Sequence, residues 1–215
     1  MPARGRFITF EGPEGSGKTT QLRILGERLR NAGHDVMETQ EPGGTAIGVQ
    51  IRHVLLDAKN RELCPTAELL LMFASRAQNV DQSILPALSA GRTVLSDRFT
   101  DSTLVYQGVG RGLGADVVYE LDRIACRGLV PDLTLLIDID ADTGLARALR
   151  RSVRTEDPET RMEEQEMGFH YKVREAYRQL AADEPVRVRL IDGSQTREAV
   201  AVEVWQAVES LFPLT

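Results

Sequence analysis

Residues Phe7–Thr20 read FITFEGPEGSGKTT, and this stretch decides the fold of the chain. Its first four residues are apolar or β-branched and predict a short buried strand. Residues 12–19 then fit the pattern Gly, four residues, Gly-Lys-Ser/Thr. Leucines spaced by three and four residues follow and predict a helix from about Lys18 to Asn31. A strand before the motif and a helix after it are the context in which this pattern forms a phosphate-binding P-loop.

Each part of the loop has a chemical reason to hold phosphate. Glycine lets the backbone curl closely around an anion with its N–H groups pointing inward, and the following helix adds its positive N-terminal end. Lys18 can reach the β- and γ-phosphates of a nucleoside triphosphate, and the Thr19 hydroxyl can hold Mg²⁺. The residues that we expect to bind the donor nucleotide here are Gly12, Pro13, Glu14, Gly15, Ser16, Gly17, Lys18, Thr19 and Thr20.

Four further apolar runs alternate with segments of helical spacing. They are Val36 to Thr39, Thr93 to Leu95, Leu133 to Ile139 and Val186 to Ile191. Strands that alternate with helices predict an α/β fold, because parallel neighbours need crossover connections and helices supply them. We therefore expect a three-layer P-loop NTPase fold, with a five-stranded parallel sheet, helices on both faces and a short lid.

Length and composition exclude several classes of protein. The chain has 215 residues, of which 42% are hydrophobic, and this predicts one domain over residues 1–215. The 26 Lys and Arg against 32 Asp and Glu give a net charge of −6, which argues against a broadly basic face for nucleic acid. With no long apolar run and no signal-peptide pattern, we expect a soluble, cytoplasmic protein without membrane contact. Cys64 and Cys126 lack disulfide or metal spacing and are expected as buried free thiols.

The P-loop by itself leaves several classes of nucleotide-binding protein open. A GTPase needs an Asn-Lys-x-Asp motif and a switch-type Asp-x-x-Gly, and the sequence has neither. An ATPase motor generally needs more chain to couple hydrolysis to movement. Here the spare length lies in two insertions, at about 41–91 and 147–167, which can cover ligands beyond the carboxyl ends of the strands. This arrangement favours a small-molecule kinase.

Asp97 and Arg98 directly follow the third predicted strand, at the same sheet edge as the P-loop. A carboxylate there can organise Mg²⁺ and its waters, and an adjacent arginine can hold an anionic acceptor. Arg52 and Arg76 lie on helical segments and, taken singly, are equally typical of surface arginines whose stems pack on the protein.

Four more motifs follow the P-loop in a fixed order. They are Glu-Pro-Gly-Gly at 41–44, Asp-Arg-Phe at 97–99, Tyr-Gln-Gly at 106–108 and Pro-Asp-Leu-Thr at 131–134. Together with the P-loop they resemble thymidylate kinase of the bacterial type, from about Phe7 to the C-terminal helix. The resemblance implies transfer of the ATP γ-phosphoryl group to dTMP, giving dTDP and ADP, with Mg²⁺ and in a homodimer. The alternatives are a kinase for another nucleoside monophosphate and a nucleotide-binding regulatory module without transfer activity.

The resemblance also implies roles for particular residues in an acceptor region of about 41–111. The residues implied to contact dTMP are Glu41, Arg52, Arg76, Arg98, Thr103, Tyr106 and Gln107. The arginines would hold its phosphate, Thr103 and Gln107 would meet the thymine edge, and Tyr106 would lie under the sugar. Glu14 would lie near the 3′-hydroxyl and join Thr19 and Asp97 at the metal.

One position departs from the family pattern. The family usually has a thymine-stacking Phe four residues before the arginine that matches Arg76, and this chain has Met72 there, followed by Phe73. One residue corresponds to a rotation of about 100° on a helix. Either Met72 or Phe73 contacts the thymine, and Phe73 fits a purely core position equally well.

An arginine cluster marks the expected lid at about 147–162. Four arginines at 147, 150, 151 and 154 fall within eight residues, a pattern that by itself is typical of a solvated face. Thymidylate kinases take a catalytic arginine from the P-loop or the lid, and positions 13, 14 and 16 of this P-loop carry no base. The resemblance therefore implies that Arg151 bridges the phosphates and that Arg147 lies against adenine. The catalytic set implied is Glu14, Lys18, Asp97, Arg98 and Arg151.

Overall fold

A computed structural model describes residues 4–156 and 158–212 of the chain. Its five strands are β1 (Phe7–Glu11), β2 (Val36–Gln40), β3 (Thr93–Asp97), β4 (Leu133–Asp138) and β5 (Val188–Asp192). They form one parallel sheet in the order β2-β3-β1-β4-β5. The predicted five-stranded parallel sheet is thus confirmed. The last strand begins two residues later than expected, because Val186 is 84% exposed in the preceding turn.

Helices connect the strands. They are α1 (Lys18–Asn31), α2 (Ala46–Leu56), α3 (Pro65–Asn79), α4 (Leu85–Ser89), α5 (Thr100–Thr103), α6 (Ala115–Ala125), α7 (Ala141–Thr155), α8 (Met167–Asp183) and α9 (Arg197–Val208). A π-helical stretch, Val80–Ile84, joins α3 to α4, and a second, Leu104–Gly110, extends α5. The predicted helix over 18–31 has the expected bounds.

The central strand sends its side chains alternately to two cores. Ile8 and Phe10 pack with apolar residues of α1 and α9 on one face, while Phe7 packs with α3, α4 and α6 on the other. A strand that is buried on both faces is largely apolar, and Phe7, Ile8 and Phe10 make β1 so. Helices on both faces of the sheet are therefore confirmed. The carboxyl ends of β1 and β3 meet at the edge where the P-loop begins.

Two further sequence expectations can be compared with the structure. Cys126 is a buried free thiol, as expected, but Cys64 is exposed, and that expectation was wrong. Cys64 stands at the N-cap of α3, where the chain leaves a surface turn, so the helix core does not cover it. Within residues 4–156 and 158–212, no helix combines the length and apolarity needed to cross a membrane.

Candidate active site

One cleft of about 670 Å³ opens at the carboxyl edge of the sheet, a size typical of small-molecule sites. Its floor is the P-loop and the end of β3, and its walls come from α2, α3, the π-helical stretch 104–110, α7 and the segment 158–165. It therefore joins the region expected to bind the donor to the region expected to bind the acceptor.

The P-loop is packed so tightly that glycine is required at two positions. A Cβ on Gly12 would lie 2.2 Å from the Ile137 carbonyl oxygen, and one on Gly15 would lie 2.0 Å from that of Gly144. Both glycines also have positive φ, at 136° and 66°. Strand β4 and helix α7 thus fix the loop from behind, and its front faces the cleft.

Lys18 lies folded into this loop. Its Nζ donates hydrogen bonds to the carbonyl oxygens of Gly12 (3.0 Å) and Pro13 (2.8 Å). Burial of the ammonium group and the nearby Arg98 charge lower the pKa of Lys18 to about 8. The side chain lines the cleft, so a triphosphate can exchange for the two carbonyl partners.

Thr19 and Asp97 bring two oxygen atoms together on the cleft floor. The Thr19 hydroxyl donates to Oδ2 of Asp97, and both residues line the cleft. Within the described residues there is no cluster of three or more metal-ligating His, Cys, Asp or Glu side chains. One carboxylate and one hydroxyl nevertheless fit Mg²⁺, which usually keeps several waters and takes oxygen atoms from substrate phosphates.

Arg98 reaches across the acceptor side of the cleft from a rare backbone conformation. Its φ of 71° lies in the left-handed region, where a residue other than glycine costs roughly 1–3 kcal/mol. The Arg98 N–H donates to the Phe10 carbonyl at 2.9 Å, which ties this turn to β1. Its guanidinium donates to Glu14 (3.2 Å) and to the Tyr106 hydroxyl (3.2 Å). The strained turn therefore aims the guanidinium along the cleft.

Glu14 is held on the acceptor side. The Tyr106 hydroxyl donates to its carboxylate at 2.7 Å, and Nδ1 of His170 lies 3.8 Å from it. Burial raises its pKa, but His170, Arg98 and Lys18 together hold the pKa of Glu14 at about 2. Glu14 is therefore ionised throughout the working pH range. The sequence suggested that Glu14 joins Thr19 and Asp97 at a metal, and all three residues line the same cleft.

Sequence reasoning missed a buried carboxylate beneath this group. Glu11, the last residue of β1, accepts hydrogen bonds from the Phe99 N–H (2.7 Å), the Ser102 hydroxyl and the Tyr177 hydroxyl (2.9 Å). Burial raises the pKa of Glu11 to about 7. An acidic residue inside an apolar strand is a signal that could have indicated it. Tyr177 and His170 come from α8, and no local motif marks them.

The guanidinium group of Arg76 lies at the bottom of the acceptor side of the cleft, and the residue is only 2% exposed. Its Nε donates to Glu41 at 2.5 Å and its Nη2 to the Phe99 carbonyl at 3.0 Å. Its Nη1 is buried and has no partner within the described residues. Because Arg76 lines the cleft, this free donor suits an anionic ligand. Arg52 also lines the cleft, and its Nε pairs with Glu159 at 2.7 Å.

Helix α3 separates the two residues that the sequence left as alternatives. Met72 lines the cleft, whereas Phe73 is 4% exposed and belongs to the core around α4 and α6. The 100° step between neighbouring helical residues accounts for the difference. Thr103 and Gln107 line the cleft as Met72 does, so three of these four predicted contacts border it and Phe73 does not.

Helix α7 orients the arginine cluster. Arg151 and Arg154 line the cleft, whereas Arg150 is exposed outside it. Arg151 donates to Glu163 at 2.9 Å, and its side chain remains half exposed. Arg147 lies beside the cleft, where its Nη1 donates to the Gly193 carbonyl after β5 at 3.4 Å. Asp157, within the predicted lid, lies outside the described residues.

Several known proteins are similar to this chain in sequence and fold. The family model for thymidylate kinase matches residues 10–204. The thymidylate kinase of Pelobacter propionicus is 51% identical over 207 residues, with 94% of each chain covered. That of Geobacter sulfurreducens is 51% identical over 210 residues, covering 97% of this chain and 99% of the relative. The crystal structure of thymidylate kinase from Ehrlichia chaffeensis superimposes with a TM-score of 0.77 at 31% identity, covering 97% and 99% of the two chains. The chain therefore belongs to the thymidylate kinase family.

Proposed function

We propose that this chain transfers the γ-phosphoryl group of ATP to dTMP, producing dTDP and ADP. The observation that carries this function is one cleft that is lined by the P-loop, by Thr103 and Gln107, and by the buried Arg76, whose Nη1 has no partner among the described residues. Family membership supports these substrates, and the lining of the cleft offers groups suited to each.

The donor end of the cleft suits ATP. Backbone N–H groups of the loop and the N-terminal end of α1 provide positive potential for the phosphates. Lys18 exchanges its two loop carbonyls for phosphate oxygens, which raises its pKa and keeps it charged. We assign contact with the adenine to Arg147, which lies beside Gly15 and the Gly193 carbonyl.

Thr19 and Asp97 are the residues that would hold Mg²⁺. The ion would neutralise charge on the β- and γ-phosphates when it is bound. Asp97 accepts a hydrogen bond from the Thr19 hydroxyl, so the Thr19 Oγ1 and Asp97 Oδ2 atoms already lie together. Glu14, engaged by Tyr106 and Arg98, would lie near both the 3′-hydroxyl of the acceptor and the metal.

The acceptor end suits dTMP. Arg76 and Arg98 bind its phosphate, with Arg52 at the rim and Glu41 fixing Arg76. A phosphate monoester has its second pKa near 6 and is largely dianionic at pH 7, so the attacking oxygen needs no general base. The difficult step is to hold two polyanions together, and the converging cations perform it.

Arg151 supplies the lid contribution. In the structure it pairs with Glu163, at the cleft edge, with half of its side chain exposed. A long arginine at this position can reach charge that develops between donor and acceptor. We assign it to transition-state stabilisation rather than to substrate binding.

The remaining assignments concern the whole chain. We propose that residues 1–215 form one kinase domain, with an acceptor region at about 41–111 and a lid at about 147–162. We further propose a homodimer that acts in the cytoplasm, where ATP and dTMP occur. Exposed apolar residues on α2 and α3, including Ile47, Val54 and Leu70, support a second copy as partner.

A coupled ADP-release assay tests the reaction. Purified protein is supplied with ATP and Mg²⁺ and, in turn, dTMP, dUMP, dCMP, AMP or GMP. We expect the highest kcat/KM with dTMP. Preference for a different acceptor, or no ADP release above background, would refute the proposed reaction.

A further inference from the structure

Glu68 of α3 is a fully buried carboxylate on which two other parts of the chain converge, residues 107–111 and Arg161. It accepts hydrogen bonds from Nε2 of Gln107 at 2.7 Å and from Nε and Nη2 of Arg111 at 3.1 Å each, and it forms an ion pair with Nη1 of Arg161 at 2.7 Å. Burial raises its pKa, but these donors and charges lower the pKa of Glu68 overall, so it is ionised. Glu68 itself does not line the cleft.

The charge on Glu68 determines how the Gln107 amide is oriented. An ionised carboxylate can only accept hydrogen bonds, so the amide must face it with its NH₂ group and not with its carbonyl. Gln107 also lines the cleft, and no donor to its Oε1 is found among residues 4–156 and 158–212. The amide oxygen is therefore the atom that Gln107 offers to a ligand.

Thr103 adds a hydroxyl one helical turn away. Its Oγ1 is buried without a partner in the described part of the chain, and the residue lines the cleft. A hydroxyl can donate to a ring carbonyl. The Gln107 amide oxygen can accept from the N3–H of thymine, and the Thr103 hydroxyl can donate to the neighbouring ring carbonyl. Cytosine presents an unprotonated N3 and an amino group there, so Gln107 Oε1 would face another acceptor.

We propose that Glu68 is a positioning residue for base specificity, which fixes the Gln107 amide so that its carbonyl faces the cleft and selects an imide N–H. This inference rests on the proposed function, because it takes dTMP as the acceptor. It extends that function by assigning the rejection of cytosine to a residue that does not touch the base.

The geometry makes the variant Glu68→Gln unusually informative. Oε2 faces two arginine nitrogens, Nη2 of Arg111 and Nη1 of Arg161, whereas Oε1 faces one, Nε of Arg111, so the new amide keeps its oxygen at the Oε2 position. Its NH₂ group then takes the place of Oε1, opposite Gln107. Two NH₂ groups cannot pair, and Gln107 turns over to accept. Its own NH₂ then faces the cleft and can donate to N3 of cytosine.

The experiment compares kcat/KM for dTMP and dCMP in the purified full-length protein. We expect Glu68→Gln to lower the dTMP to dCMP ratio by about 10- to 100-fold, the discrimination that one correctly oriented amide typically gives. Arg111→Met is the matched control, because it removes two bonds to Glu68 but leaves Gln107 and Arg161 in place. It should lower the melting temperature and keep the ratio.

A purely structural role for Glu68 predicts a different result. Activity with both acceptors would then fall together, and an unchanged ratio in folded Glu68→Gln overturns the proposal. If that variant does not fold, Glu68→Asp retains the charge for both arginines while withdrawing the carboxylate from Gln107, and the same ratio decides. Loss of dTMP turnover in the unaltered protein would instead refute the proposed function, so the two failures are distinguishable.

Discussion

Arg151 illustrates how much of the chemistry depends on one exposed side chain. It lines the cleft beside Glu163, and we assign it to charge that develops during transfer. Changing it to Ala should lower kcat by about 100-fold or more, a typical loss for one transition-state donor, with little change in the KM for dTMP. Steady-state kinetics with both substrates measures this.

Arg150 provides the control for that variant, because it precedes Arg151 on α7 but is exposed outside the cleft. Arg150→Ala should retain the unaltered kcat. If Arg151→Ala raises only the KM, then Arg151 is a binding group and its assigned role is wrong.

The lowered pKa of Lys18 predicts that kcat/KM for ATP depends on pH. Its pKa is lowered to about 8, so the free enzyme holds the charged ammonium below that pH and loses it as the pH rises through 8. Bound triphosphate favours the charged form and raises the pKa. We therefore expect kcat/KM for ATP to fall above about pH 8, while kcat at saturation falls only at higher pH. Initial rates between about pH 6.5 and 9.5 measure both curves.

The control for this prediction is Lys18→Arg, whose guanidinium does not deprotonate in that range. Whatever activity remains should lack the decline assigned to Lys18. A decline of equal size in this variant would show that another group titrates.

At the scale of elements, one face of helix α3 packs in the core through Phe73, and another lines the cleft through Met72. Phe73→Ala removes a fully packed ring and should destabilise the protein by about 3–5 kcal/mol. Met72→Ala, one residue away, should leave the melting temperature nearly unchanged and raise the KM for dTMP. Thermal unfolding and kinetics on both variants separate the two faces. Equal effects of the two substitutions on KM would contradict the assignment.

Helix α7 packs directly against the P-loop at Gly144, where there is no room for a side chain. A Cβ on Gly144 would lie 2.4 Å from the Glu14 carbonyl oxygen, so Gly144→Ala must displace the loop or the helix. We expect a raised KM for ATP and a lower kcat. Gly168→Ala, near the start of α8, meets no atom within 4 Å and serves as the control, which should retain both constants. Nucleotide titrations followed by kinetics test the pair.

At the scale of the whole molecule, a net charge of −6 is compatible with binding two polyanions, because the charges are unevenly distributed. Positive groups gather in one cleft through Lys18, Arg76, Arg98 and Arg151, while acidic side chains dominate the composition. Bulk charge therefore disfavours nucleic acid without preventing nucleotide binding.

Assembly is the prediction that belongs to this scale. We expect a solution mass of twice the 23.8 kDa chain, measured by analytical ultracentrifugation. Leu70→Glu, on the exposed apolar part of α3, should shift the mass to that of one chain. Val202→Glu on α9, at a similar exposure, should leave it unchanged. A monomer in the unaltered protein would refute the proposed homodimer.

Much of the fold could be predicted from the sequence, because its strongest signals are local. The P-loop pattern, the apolar runs and the leucine spacing depend on residues close together in the chain, and they predicted α1 and all five strands to within a few residues. The Asp97-Arg98 pair was assigned to the sheet edge because parallel strands end there together. Cys64 was misjudged, since burial of a lone thiol depends on which surfaces meet it.

The sequence by itself thus determined the fold class, the phosphate loop and the family to which the chain belongs. Only the tertiary structure decided that Met72 and not Phe73 faces the cleft, that Glu14 pairs with Tyr106, and that Glu68 orients Gln107. The physical reason is distance along the chain. Backbone propensity and periodicity act over a few residues, whereas a buried carboxylate acquires its partners only when separate elements pack around it.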